Sequence, residues 1–353
     1  MTTYRIAVIA GDGIGKEVVP VALAALRRAG ELTDRFTIET TDLDWSCERY
    51  VRDGAMMPPD GLRILDAHDA ILVGAVGFPG VPDHVSLWGL LLPIRQGFDQ
   101  YVNLRPVRVL PGIASPLRGG SAETVDMLCV RENTEGEYSG IGGRFHAGAP
   151  EEMALQTSVY TRRGIERVTR YAFERARERT RRLASATKSN ALQYSAVLWD
   201  EVVAEVARDF PDVRVTRYLV DALAARFVYA PETLDVVVAS NLYGDILTDL
   251  GAALQGSLGL AASANLNVPR THPSMFEPVH GSAPDVAGRD VANPMATVWA
   301  GAMLLDHVGE SEAGALVMGA IERVAAGGPR TPDVGGTSGT RAVGEAIVAA
   351  MGT

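Results

Sequence analysis

A chain of 353 residues, 47% hydrophobic and 22% charged, is long enough for two domains or one large α/β domain with an insertion, and has a globular composition. A formal charge of -10 excludes a general binder of the nucleic-acid backbone, which needs surplus Lys and Arg. Cys47 and Cys129 cannot build a disulfide framework, no stretch reaches the roughly 20 apolar residues of a bilayer span, and the N-terminus has no basic leader, so a cytoplasmic protein without a membrane partner is expected.

The apolar run "YRIAVIA" is a first strand, and "KEVVPVALAALRRAG" after it has helical periodicity. Between them, "AGDGIGKEV" places glycines at 11, 13 and 15, whereas a GxGxxG dinucleotide loop needs the third at 16. A tight strand-to-helix turn is expected there, not a Rossmann loop. "FTIETTDLDW", "GLRILDAH" and "DAILVGAVG" continue an alternation of strand and helix that implies a largely parallel sheet covered by helices on both faces.

Three arginines follow: Arg95 in "LLLPIRQGFDQY", Arg105 in "VNLRPVRV" and Arg131 in "LCVRENTEGEYSG". Guanidinium forks bind carboxylates through paired hydrogen bonds, so convergence of the three would suit a diacid. Tyr138 is either a proton donor in the same pocket or a packing residue. "SGIGGRFH" and "EMALQTSVYT" alternate in strand fashion around the turn-rich "AGAPEE", which predicts a projecting hairpin suited to pairing with another subunit. From Arg162 to Arg182, nine arginines accompany an apolar stripe of Ile165, Val168, Ala172 and Ala176, so those cations belong on the solvated face of a helix.

The chain uses 31 arginines but only two lysines, Lys16 and Lys188. An amine, unlike a guanidinium, can lose its proton and act as a base, so Lys188 in "ASATKSNAL" is a candidate base or else the cation of an ion pair. Asp245 and Asp249 stand one helical turn apart in the apolar "YGDILTDLGAAL". Without a cation they would repel. They either hold a hard divalent ion, with Asp221 of "RYLVDALA" as a third ligand, or cap helices and face water. "FEPVHGSAPDVAGRDVANPMA" frees backbone amides to meet a ligand, and its Asp285 would accept from ribose hydroxyls, favouring NAD over NADP, or serve as a turn residue.

In this order, "GDGIGKEV", "SLWGLLLPIRQGFDQYVNLRPVRVLPG", "RENTEGEY", "TKSNAL", "SNLYGDILTDL", "MFEPVHGSAPD" and "ANPMA" resemble the β-decarboxylating dehydrogenases of isocitrate, isopropylmalate and tartrate/D-malate. The resemblance covers most of the chain. It implies an isocitrate/isopropylmalate dehydrogenase-like α/β fold of two domains, not a Rossmann fold. Residues 1–102 with 256–353 would form the larger, cofactor-binding domain. Residues 103–255 would form the smaller dimerisation and substrate/metal domain, with a hairpin arm near 139–160 as an intersubunit clasp. Asp221, Asp245 and Asp249 would bind Mg²⁺ or Mn²⁺, and Arg95, Arg105 and Arg131 the substrate carboxylates. Lys188 would take the C2 hydroxyl proton and Tyr138 would protonate the enolate carbon. Ile14, His280, Gly281, Ser282, Ala283, Asp285 and Asn293 would line an NAD site, and Lys188 and Asp221 would complete the neighbour's site in a homodimer.

In "SLWGLLLPIR", Trp88 stands where isopropylmalate enzymes carry a glutamate, and Leu91 joins it as a substrate-lining residue. With "DWSCERYVRDGAMMP" and "VPDHVSLWGLLL", this segment is closest to the tartrate/D-malate branch, which also implies a monovalent cation such as K⁺. The expected reaction is oxidation of (R)-malate by NAD to pyruvate and CO₂, with activity on tartrate. The alternatives are 3-isopropylmalate dehydrogenase and a catalytically silent regulatory subunit; the presence of Tyr138, Lys188 and all three aspartates argues against silence.

Overall fold

A computed structural model describes residues 1–352. The first elements are β1 (Thr2–Gly11), α1 (Gly15–Thr33), β2 (Phe36–Asp42), α2 (Cys47–Asp53), α3 (Gly61–Leu65) and β3 (Ala70–Ala75). Next, α4 (Asp83–Ser86) and α5 (Leu92–Gly97) are joined by a π-helical stretch, Leu87–Leu91, and β4 (Val102–Arg108) and β5 (Asp126–Glu132) follow. The hairpin is β6 (Gly136–Phe145) with β7 (Met153–Val159). It leads into α6 (Arg162–Glu178), β8 (Arg182–Thr187), α7 (Ser195–Ala207), β9 (Arg214–Leu219), α8 (Val220–Tyr229), β10 (Val236–Ala239) and α9 (Asn241–Leu254). The chain closes with β11 (Ala262–Leu266), β12 (Ser274–Pro278), α10 (Met295–Val308), α11 (Ser311–Gly327) and α12 (Thr340–Ala350).

Ten strands form one sheet in the order β2-β1-β3-β12-β11-β4-β5-β10-β8-β9. Its two flanks are parallel, but β12–β11, β11–β4 and β4–β5 run antiparallel in the middle. The strand-helix rhythm foretold the flanks and not the centre, because a strand buried on both faces has the same apolar pattern in either direction. Pro106 lies beyond Leu104, where the β11 pairing ends, so β4 is paired there only with Leu128 of β5.

Side-chain alternation divides the core between the faces. On β1, Ile6 and Val8 join a cluster that runs unbroken from α1 and α10 to α6 and α7, whereas Ala7 and Ile9 point to the opposite face. There the apolar core is split into two clusters, one under α2 to α5 and one under α8 and α9. The gap is filled by buried polar side chains, Asn103, Arg105, Arg131, Ser263, Asn265 and Glu277, on the antiparallel strands. Strand alternation thus builds a polar stripe into the middle of one face, where the candidate site lies. The hairpin forms a separate two-stranded sheet with Ile141, Phe145, Met153 and Leu155 exposed, and both cysteines are buried and free.

Candidate active site

Arg105 is fixed at every nitrogen. Nε donates to Asn103 Oδ1 at 2.7 Å, Nη1 to Thr248 Oγ1 at 2.6 Å and Nη2 to Asp245 Oδ1 at 3.3 Å. Arg131 donates through Nη1 to the same Asp245 oxygen at 2.5 Å, and through Nε and Nη2 to Asn241. Arg95 pairs with Glu277 at 2.7 Å, and Glu277 accepts from Asn265, whose Oδ1 in turn accepts from Asn103. The three predicted arginines therefore converge, linked through asparagines that the sequence patterns did not single out.

Asp245 draws its acidity from this setting: burial pushes its pKa up, but the Arg131, Arg105 and Arg95 guanidiniums outweigh burial and hold it below the ordinary value. Arg131 feels the converse, since burial and then Arg105 push it down to about 9, which leaves it charged at neutral pH. Asp249 is mostly exposed, 3.8 Å from Arg105 Nη1, and its pKa is raised by burial and by Asp245 against the pull of Arg105. The helix carrying both aspartates is less enclosed than its apolar sequence implies, with Ile246 59% exposed. Tyr138 donates from its hydroxyl to Asp245 Oδ2 at 3.3 Å, and burial and Asp245 raise its pKa, so it stays protonated at neutral pH.

Lys188 follows β8 and reaches Asp221 of α8 at 2.6 Å, an ion pair that depresses the Asp221 pKa. Asp221 does not join Asp245 and Asp249 within the chain: among the described residues, no three His, Cys, Asp or Glu side chains stand together as a metal cluster would require. The candidate site in one chain thus has two parts, an arginine-aspartate stripe and a Lys188–Asp221 pair.

The segment after β12 forms a lip beside the stripe. A cavity of about 180 Å³ is lined by Leu91, Arg95, Arg105, Glu277, His280 and Gly281, so the substrate and cofactor candidates share one space. His280 Nε2 is buried with no hydrogen-bond partner, burial depresses the His280 pKa, and a Cβ on Gly281 would meet open space. Ile14 N donates to Ser282 O at 2.9 Å, pinning the first glycine turn to this lip. A Cβ on Gly11 would fall 1.9 Å from Ala75 O and one on Gly13 2.1 Å from Ser282 O, so these glycines serve contacts within the chain. Ala283 is left-handed (φ 41°), Asp285 is exposed, and Asn293 is held by a bond to Asp333. Asp12 in that turn is fully buried and accepts from the backbone N–H groups of Cys47, Glu48 and Gly77. Trp88 is half-exposed and faces Gly140 of the hairpin, where a Cβ would lie 3.0 Å from its ring.

Such a stripe fits a dehydrogenase acting on carboxylate substrates, and similarity to known proteins agrees. The isocitrate/isopropylmalate dehydrogenase family profile matches residues 5–347, and the chain belongs to that family. A D-malate dehydrogenase (decarboxylating) of Escherichia coli is 53% identical over 98% of both chains. A probable tartrate dehydrogenase/decarboxylase of Agrobacterium vitis is 52% identical over 99% of this chain and 98% of its own. Among solved structures, an isocitrate dehydrogenase from Methylococcus capsulatus superposes with a TM-score of 0.88 at 34% identity, covering 99% of this chain and all of its own.

Proposed function

We propose that this enzyme oxidises (R)-malate with NAD to pyruvate and CO₂ in the cytoplasm, requires Mg²⁺ or Mn²⁺ with K⁺ as a second cation, and also accepts tartrate. The observation that carries this reading is the convergence of Arg95, Arg105 and Arg131 beside Asp245, Asp249 and Glu277. Three positive charges already face three negative ones, so a dianionic hydroxy acid brings two uncompensated charges into a partly buried site. A divalent cation at Asp245 and Asp249 restores neutrality, and all-oxygen donors of this kind suit Mg²⁺ and Mn²⁺. Names borne by relatives for D-malate and tartrate oxidation favour the smaller diacids.

When bound, the dinucleotide supplies a two-electron acceptor and the divalent cation supplies Lewis-acid polarisation of the substrate oxygens. Ile14, His280, Gly281, Ser282, Ala283, Asp285 and Asn293 would hold the dinucleotide, with the free His280 Nε2 as an anchoring group. The arginines hold the two carboxylates. Lys188, in its neutral amine form the base at the C2 hydroxyl, accepts its proton at Nζ and becomes the ammonium, and the Tyr138 hydroxyl returns a proton to the carbon from which CO₂ leaves. Trp88 and Leu91 close the pocket with bulk in place of the glutamate of isopropylmalate enzymes.

In this reading residues 1–102 with 256–353 form the cofactor domain and 103–255 the dimerisation domain. Asp221 and Lys188 of one subunit meet Asp245 and Asp249 of a second copy, which explains why the three aspartates stay apart in one chain. Turnover on D-malate, tartrate and 3-isopropylmalate with NAD and Mn²⁺, with and without chelator, tests the assignment. D-malate should give the highest kcat/KM and chelation should abolish it; preference for 3-isopropylmalate would overturn the substrate.

A further inference from the structure

The face of the sheet opposite the candidate site carries a larger cavity, of about 490 Å³. Alternation puts it directly behind the polar stripe. On β4, Asn103 and Arg105 face the site while Leu104 between them lines the cavity, and on β11 Ser263 and Asn265 face the site while Ala264 and Leu266 line the cavity. Tyr171 and Arg175 of α6 form one wall, and Trp299 and Met303 of α10 with Met318 of α11 form the other. The cavity is therefore the gap between two helix layers that pack on different parts of the sheet.

Its floor is apolar and its mouth is charged. Arg175 pairs with Glu178 through Nη2, but its Nε is buried without a partner. The Arg270 guanidinium makes no hydrogen bond or ion pair among the described residues. Asp306 is the opposing charge and already accepts from Ser311 Oγ at 2.5 Å, while His307 beside it is uncharged at neutral pH because burial depresses its pKa to about 4. With Arg175 paired to Glu178 and Asp306 engaged by Ser311, the Arg270 guanidinium is the cation of the lining without a partner among the described residues. Nothing in the dehydrogenase chemistry uses these groups.

We propose that this cavity is a second binding site, for a small organic anion with a flat apolar body. The body lies on Leu266, Trp299 and Met303, and the anionic group meets the Arg270 guanidinium. Its occupant bridges α6 to α10 and α11 without entering the catalytic cleft, so the inference does not depend on which diacid is oxidised.

Isothermal titration calorimetry with 2-naphthoate, on the full chain saturated with NADH, Mn²⁺ and tartrate to fill the cleft, is the test. We expect one saturable site per chain with Kd on the order of 100 µM, and uncharged 2-naphthalenemethanol about tenfold weaker or more. Arg270→Gln should weaken naphthoate about tenfold, and Ala315→Trp, at an exposed helical position on the cavity lining, should abolish binding. Both side chains are exposed, and circular dichroism checks that each variant folds. Absence of saturable binding below about 1 mM, or affinity unchanged in Ala315→Trp, would overturn the proposal.

Discussion

Replacing Arg131 by lysine keeps one positive charge near Asp245 but removes the fork that holds Asn241. Arg131 donates to Asn241 O at 2.9 Å and to Asn241 Oδ1 at 3.2 and 2.8 Å, on an edge that an ammonium cannot reproduce while it also meets Asp245. Hydrogen bonds to charged groups contribute about 1.5–3 kcal/mol each, and leaving buried acceptors unmade costs about the same, so stability should fall by about 2–4 kcal/mol. The substrate carboxylate loses a two-pronged partner as well, equivalent to about 3 kcal/mol of binding, or about a hundredfold in kcat/KM. Urea denaturation reads the first effect. Steady-state kinetics with D-malate at saturating Mn²⁺ reads the second, with KM for D-malate rising far more than KM for NAD. A KM for D-malate within about twofold of wild type, in a folded variant, would refute the placement of Arg131 on the substrate.

Lys188→Met should lower kcat by about 10³-fold or more, the upper part of the range for a general base, with NADH affinity measured by fluorescence nearly unchanged. Appreciable residual turnover would remove Lys188 from its role. Stability should also depend on pH through His307, whose ring lies 5.5 Å from Phe276 with Arg270 and Asp306 nearby. Burial and Arg270 lower its folded pKa from 6.5 to about 4 against the opposing pull of Asp306, so only the unfolded chain gains a proton between those values. The stabilisation is complete above pH 6.5 and lost as pH falls towards 4, by about 2 kcal/mol, less than the full linkage value because the ring is only partly buried. Denaturant melts of wild type and His307→Phe at pH 7.5 and 4.5 check this: the variant should lose this part of the dependence, and identical slopes would contradict it.

Much of this architecture is written in the sequence as periodicity and motif. The outer strands, the exposed arginines of α6 and the β6–β7 hairpin follow from spacing, whereas Arg167 stacks on Tyr101 and Arg175 buries its Nε instead of standing fully in solvent. The three arginines and the Asp245–Asp249 pair were visible as residues, but their meeting depends on non-local strand pairing that no local pattern encodes. Glu277, Asn103 and Asn265 carry no local signature because each sits inside an apolar strand. The available signal was a polar residue at every second position, Asn103 and Arg105 on β4 and Ser263 and Asn265 on β11, which marks a sheet face that abandons its apolar core. The π-helical turn at Leu87–Leu91 left no such mark.

The claim that two subunits build each site is tested most directly by subunit complementation. Lys188→Met and Asp245→Asn variants are each expected to be inactive. Mixed and allowed to exchange subunits, they should form hybrid dimers in which one site receives Lys188 and Asp221 from one chain and Asp245 and Asp249 from the other, restoring about a quarter of wild-type activity. No recovery, with exchange verified by mass spectrometry, would mean that the groups act within a single chain.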